Sequence, residues 1–139
     1  MIRMPRTLLE SIREHGKDSH TEEACGVMMG YVLPTSKELA ALERLSNSRD
    51  GERHRRFLIT SDDYRRAEAE ASARSMELLG FYHSHPNHPA YPSAYDLEHA
   101  WPFFSYVIVS VQDGEPQEVR SFVMAEDRMG FAEEEIETF

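Results

Sequence analysis

Apolar and polar positions along this chain switch between helical and strand periods. Met1–Met4 is a short apolar start that suits a first strand. Pro5 follows and fits the first turn of a helix, where its missing N–H would be unpaired anyway. Leu8, Leu9 and Ile12 give that helix an apolar stripe, Gly16 is its expected C-cap, and Lys17–Thr21 reads as a loop. From Glu22 the chain reads EEACGVMMGYVL, whose apolar part is short, nearly continuous and Gly-flanked, as expected of a central strand, and Pro34 ends it. Glu38–Leu45 fits a second strand, although its propensities suit a helix equally. Asn47–Arg56 is polar, with Asp50-Gly51 as a turn signal and His54 as a surface residue. Phe57–Ile59 reads as a short strand.

Thr60 or Ser61 then caps a long helix, with Asp62 and Asp63 at its positive end. The helix continues through YRRAEAEASARSMEL to a boundary near Glu77. A strand over Leu78–His85 leads into a loop holding Pro86, Pro89 and Pro92. Ser93–Ala100 is a short helix that Pro102 stops. Ser105–Val111, β-branched and apolar, is the most strand-like segment. Asp113-Gly114 turns the chain into the alternating stretch Glu118–Met124. The closing FAEEEIETF is either an edge strand or frayed. Strands and helices interleave throughout, which predicts one α/β (α+β) domain over residues 1–139, a central mixed β-sheet flanked by helices.

Composition narrows the function. The 139 residues include 40% hydrophobic and 10% aromatic side chains, enough for a core. A formal net charge of −10 argues against nucleic acid and against anionic membrane surfaces. No apolar run is long enough to span a bilayer, and the charged start does not read as a signal peptide. The single cysteine, Cys25, excludes an intrachain disulfide and points to a reducing cytoplasm. On its apolar strand Cys25 reads as a small hydrophobe rather than a nucleophile.

Candidate chemistry gathers in GFYHSHPNHPAYPSAYD, residues 80–96. Strand side chains alternate faces, so His83 and His85 present two imidazoles to one side. Ser93 and Asp96, three apart, share a helix face. Two nitrogens and a carboxylate form an incomplete zinc set with one position open, although iron or manganese would also accept these ligands. Singly, each residue has a plainer reading: structural histidines, stiffening prolines, and Ser93-x-x-Asp96 as a helix cap. His88 reads as an exposed loop residue, and His99 and Trp101 as packing of the short helix onto the sheet. A zinc deaminase would need His-x-Glu and Pro-Cys-x-x-Cys, and both are missing.

The spacing His83-x-His85, seven residues, Ser93, two residues, Asp96 resembles the JAMM motif of the MPN+ (Mov34/PAD-1-like) metalloproteases. Glu23-Ala24-Cys25-Gly26 is similar to that family's upstream Glu-x-x-Gly. The resemblance runs from Glu23 through the strand Tyr106–Val111. It implies the JAMM/MPN fold, of cytidine-deaminase-like architecture. It also implies Zn²⁺ held by His83, His85 and Asp96, with Glu23 as general base and Ser93 as a donor to the oxyanion. Enzymes of this family cut peptide or isopeptide bonds at the C-terminal tails of ubiquitin-like proteins. The brevity of the chain is similar to the bacterial branch acting on ubiquitin-like sulfur-carrier proteins, with its link to sulfur transfer or cysteine biosynthesis. Two other readings stand beside it: an isopeptidase removing small ubiquitin-like modifiers from protein lysines, and a non-catalytic, metal-stabilised module that binds such tails.

Overall fold

The computed structural model describes residues 1–45 and 59–139. The turn at Asp50-Gly51, His54 and the strand start Phe57-Leu58 lie outside the described residues. Ile59 is not in a strand. In chain order the elements are β1 (Ile2–Met4), α1 (Arg6–Ser19), β2 (Cys25–Val32), β3 (Lys37–Leu45) and α2 (Ser61–Ala73). There follow β4 (Glu77–Pro86), α3 (Ala94–His99), β5 (Ser105–Gln112), β6 (Glu115–Met124), β7 (Phe131–Glu134) and β8 (Ile136–Thr138). The described strands form one mixed sheet in the order β7-β6-β5-β4-β2-β3-β1-β8, an α+β arrangement with few helices.

The sheet order hides a closure. β7 and β8 are at opposite ends of it, yet only Glu135 separates them in sequence. β7 pairs antiparallel with β6, the chain passes through Glu135, whose carbonyl accepts from Ile2 N–H at 2.9 Å, and β8 pairs parallel with β1. The acidic tail is therefore not frayed, and it supplies an edge strand at each end of the sheet. It stitches both edges of a strongly curved sheet.

Apolar side chains fill both faces. Under α1 lie Ile2, Met4, Ile12, Met28, Leu39, Leu79, Tyr82, Val107, Val109 and Val111. Under α2 lie Val27, Met29, Ala67, Ala71 and Phe81. α2 begins as expected, with Thr60 of the two candidates as N-cap: its hydroxyl accepts from Asp63 N–H, and the Asp63 carboxylate accepts from Thr60 N–H. α1 differs from expectation. It continues through Gly16 to Ser19, so residues 17–19 are helix and Gly16 is no C-cap. The glycine serves instead as a smooth contact, because a Cβ there would lie 3.1 Å from the Val111 side chain. β3 is a strand, its helical propensities overridden by pairing with β2.

β4 contains a phase slip. Met28 pairs with Gly80 and Met29 with Leu78, so Leu79 is an extra residue, a β-bulge. Leu79 and Tyr82 consequently share the α1 face, while Phe81 turns to the α2 face. Alternation from Phe81 carries His83 and His85 to that same side. The bulge thus sets which face receives the histidines.

On the α1 side, His15 and the Tyr82 hydroxyl share a buried hydrogen bond of 2.7 Å. Tyr82 finds room because its strand partner is Gly26, where a Cβ would fall 2.1 Å from the Tyr82 ring. Burial, then the Arg44 charge, lower the His15 pKa from 6.5 to about 4, with Asp18 opposing. The unfolded chain therefore binds the proton first, and stability is complete above pH 6.5 and declines as pH falls towards 4. The expected loss is about 3 kcal/mol, read by denaturant unfolding at pH 7 and pH 4. His15→Gln flattens this part of the profile. Equal losses in variant and wild type would contradict the assignment.

Candidate metal centre and active-site cleft

The C-terminal end of β4 brings two histidines to one side of the sheet, and α3 brings a carboxylate to meet them. His83 Nε2 lies 3.3 Å from Asp96 Oδ1, His85 Nε2 lies 3.3 Å from Asp96 Oδ2, and the two Nε2 atoms are 3.0 Å apart. Ligand atoms of His83, His85 and Asp96 all fall within 4.8 Å of one another. His85 Nδ1 is 2.9 Å from the carbonyl of Pro89. That carbonyl can only accept, so Nδ1 carries the proton and Nε2 offers its lone pair. Lone pairs of three bases aimed at one point repel each other unless a cation or protons lie between them. Two imidazoles and a carboxylate, one imidazole oriented by a carbonyl, suit zinc.

Burial alone would raise the Asp96 carboxyl. When protons on the two Nε2 atoms, rather than a cation, separate these groups, the His83 charge, hydrogen bonds from His83 and His85, and the Ser93 N–H outweigh it and hold the group well below the ordinary carboxylate range. Asp96 is thus ionised, as a ligand must be.

The plainer reading of Ser93-x-x-Asp96 holds as well. Ser93 is the N-cap of α3, its oxygen accepting from Asp96 N–H at 3.1 Å while Asp96 Oδ2 accepts from Ser93 N–H at 2.8 Å. Accepting leaves the Ser93 hydroxyl hydrogen available to a further acceptor. Cap and cradle therefore share Asp96. α3 itself buries no residue completely. Its far end is tied down by Arg128, which donates to Ala100 O at 2.7 Å and Glu98 O at 3.3 Å.

The proline loop is less independent than its sequence suggests. Asn87 N–H donates to Val111 O at 2.6 Å, Ser110 Oγ donates to His88 O at 2.6 Å, and Asp113 N–H donates to Asn87 Oδ1 at 2.8 Å. Ala90 is buried against Ile108 and Phe122. β5 and its turn thus anchor a loop that the sequence credits to its prolines alone.

Two cavities flank the triad. One, of about 580 Å³, is lined by Glu23, His85, His88, Tyr91, Ser93 and Asp96 among others. The other, of about 40 Å³, is lined by Cys25, Phe81, His83, Asp96, Trp101 and Tyr106 among others. Glu23, just before β2, is therefore brought to the same cleft as Ser93 and Asp96 from far away in sequence. His88 is exposed and shares that cleft. Cys25 is buried, and burial followed by the charge of Glu23 pushes its thiol well above the usual range. Trp101 stacks on Tyr64 of α2, with ring centroids 4.7 Å apart, rather than packing α3 onto the sheet. The carbonyl of Pro89 and the hydroxyls of Ser84 and Ser110 are supports that sequence reasoning missed. Backbone acceptors leave no trace in a sequence, and a serine between two histidines looks like a spacer.

Residues 5–125 match the family described as prokaryotic homologs of the JAB domain. A desampylase of Haloferax volcanii is 33% identical over 105 residues, 75% of this chain and 73% of that protein. A CysO-cysteine peptidase of Mycobacterium tuberculosis is 31% identical over 118 residues, 83% of this chain and 77% of that protein. The solution structure of a Salinibacter ruber protein is 45% identical, with a TM-score of 0.77 over 99% of this chain and 91% of the other.

Proposed function

This chain belongs to the prokaryotic JAB (JAMM/MPN) family, and from that premise we propose that it is a zinc-dependent peptidase. Its proposed substrate is a ubiquitin-like sulfur-carrier protein, cut after the C-terminal Gly-Gly, in support of sulfur transfer or cysteine biosynthesis. The observation that carries the reading is the meeting of His83, His85 and Asp96 within 4.8 Å at the edge of a cleft that Glu23 and Ser93 also line. The CysO-cysteine peptidase likeness supports the choice of substrate class.

In this reading His83 and His85 supply nitrogen ligands, and Asp96 the oxygen ligand. When bound, zinc would supply Lewis acidity and make water a stronger nucleophile near neutral pH. Glu23 takes the proton of the attacking water and passes it to the leaving amine. The Ser93 hydroxyl, still free to donate, stabilises the oxyanion, a contribution of about 3 kcal/mol in comparable sites. The ordered loop holds these groups before substrate arrives, so little is lost in assembling them.

The desampylase likeness favours a second reading, an isopeptidase that removes ubiquitin-like modifiers from lysines. Mass spectrometry after incubation with two carriers separates the two. One carries a single residue beyond Gly-Gly, and the other is joined through Gly-Gly to a lysine side chain. Cleavage of the first alone supports the sulfur-carrier peptidase, and cleavage of the second supports the isopeptidase. If zinc-loaded protein binds both carriers and cuts neither, it is a binding module.

A chelator is expected to abolish cleavage and added zinc to restore it, whereas iodoacetamide leaves the rate unchanged because Cys25 is buried and protonated. Loss of activity on alkylation without unfolding would point to thiol chemistry instead.

A further inference from the structure

In the sequence Ser84 is only the spacer between two histidines. Its side chain faces away from them, towards α1, where a Cβ on Gly16 would lie 3.4 Å from Ser84 Cβ. Ser84 is 0% exposed. A hydroxyl so placed destabilises the fold unless it is bonded, and this one is: its oxygen accepts from Ala24 N–H at 2.8 Å. In return, Ser84 N–H donates to Ala24 O at 3.0 Å.

The pair is an altered ladder rung. The β2–β4 register ends at Cys25 opposite His83, so Ala24 stands opposite Ser84 and Glu23 comes level with His85. In a regular antiparallel rung the Ala24 N–H would go to a backbone carbonyl. Here a side-chain oxygen takes it, at the residue next to Glu23. Ala24 is itself buried, so without that oxygen its N–H has no solvent to turn to.

We propose that Ser84 is a positioning residue for Glu23: its hydroxyl holds the start of β2 so that the Glu23 carboxylate enters the cleft beside His85. The inference takes the role of Glu23 from the peptidase reading. The hold on Ala24 is its own content. Loss of the hydroxyl frees the segment carrying Glu23, while the histidines keep their strand and their partners.

The test uses the full-length, zinc-loaded protein and a carrier extended by one residue beyond Gly-Gly. Ser84→Ala is expected to lower kcat by about 10–100-fold, the scale of a misplaced catalytic group, with KM little changed. Zinc affinity, measured by competition with a chelating dye, stays within about threefold of wild type, below the loss that follows removal of a ligand's support. Added to Glu23→Gln, Ser84→Ala costs nothing further, because both remove the same function. Ser84→Thr keeps the hydroxyl and recovers most of kcat. Ser84→Cys, close in size but a weak acceptor, falls between and keeps the test open should the alanine variant not fold. Independently of turnover, amide exchange at Ala24 accelerates in the alanine and cysteine variants and not in Ser84→Thr.

Wild-type kcat in Ser84→Ala overturns the proposal, as does an equal extra loss in the Glu23→Gln background. Zinc affinity falling in step with kcat assigns Ser84 to the histidines instead and overturns it too. Should the wild type cut no carrier, the peptidase reading fails by itself. Unchanged Ala24 exchange would then still sink the proposed hold.

Discussion

Glu23→Gln lowers turnover of a Gly-Gly-extended carrier by about 100- to 10,000-fold and leaves the zinc content of the protein unchanged. The substitution keeps the shape of a side chain that is nearly buried at the mouth of the cleft. It removes only the capacity to accept a proton. The proposed ligands His83, His85 and Asp96 belong to β4 and α3, not to the segment before β2, so the substitution leaves the proposed metal cradle as it was. The measurements are kcat by mass spectrometry of the released residue and metal content by elemental analysis. A variant retaining half the wild-type rate would remove Glu23 from the role of base. Simultaneous loss of zinc would make it a ligand.

Gly80→Ala is expected to destabilise the fold by about 3–5 kcal/mol, combining overpacking with strain at a positive φ. Gly80 has φ +154°, and a Cβ there would sit 1.8 Å from the Ser105 carbonyl oxygen of the neighbouring strand. Neither side can yield easily. Ser105 is fully buried, pairs with Gly80 in the β4–β5 register, and accepts from Lys37 Nζ at 2.8 Å through its hydroxyl. The melting temperature should fall by roughly 10–20 °C. Gly130→Ala, where nothing lies within 4 Å of the new Cβ, is the matched control and should melt with the wild type. A wild-type melting point for Gly80→Ala would mean that the bulge at Leu79 relaxes freely.

Most of what identifies the site is written in local spacing. His83 and His85 announce themselves because a two-residue period and an apolar lead-in are both visible in one segment. Ser93-x-x-Asp96 is equally visible, and the structure uses it both as a cap and as part of the cradle. Glu23 became a candidate only through its resemblance to a family pattern, since nothing in residues 22–33 points to a partner 60 positions away. The bulge at Leu79 was hidden because a single inserted residue leaves composition untouched while reversing the alternation. Gly16 misled for a physical reason: a glycine near the end of an apolar stripe serves a cap and a tight helix–sheet contact alike. Trp101 shows the same limit, because an aromatic residue's partner is set by how α2 and α3 approach, and that is a tertiary fact.

The stitch made by residues 131–138 bears on how the molecule comes into being. During synthesis every other described strand emerges first. Until Phe131–Thr138 follows, β6 and β1 each present a row of unpaired amides and carbonyls. A nascent chain is therefore open at β6 and β1 to pairing with a neighbour, and in the finished one a single short segment covers both and becomes the two outer strands. The acidic character of that segment, with Glu133, Glu134, Glu135 and Glu137 in a row of seven residues from Phe131, discourages such segments from pairing with one another across molecules. Its poor strand propensity, which obscures it in the sequence, is also its protection on the ribosome.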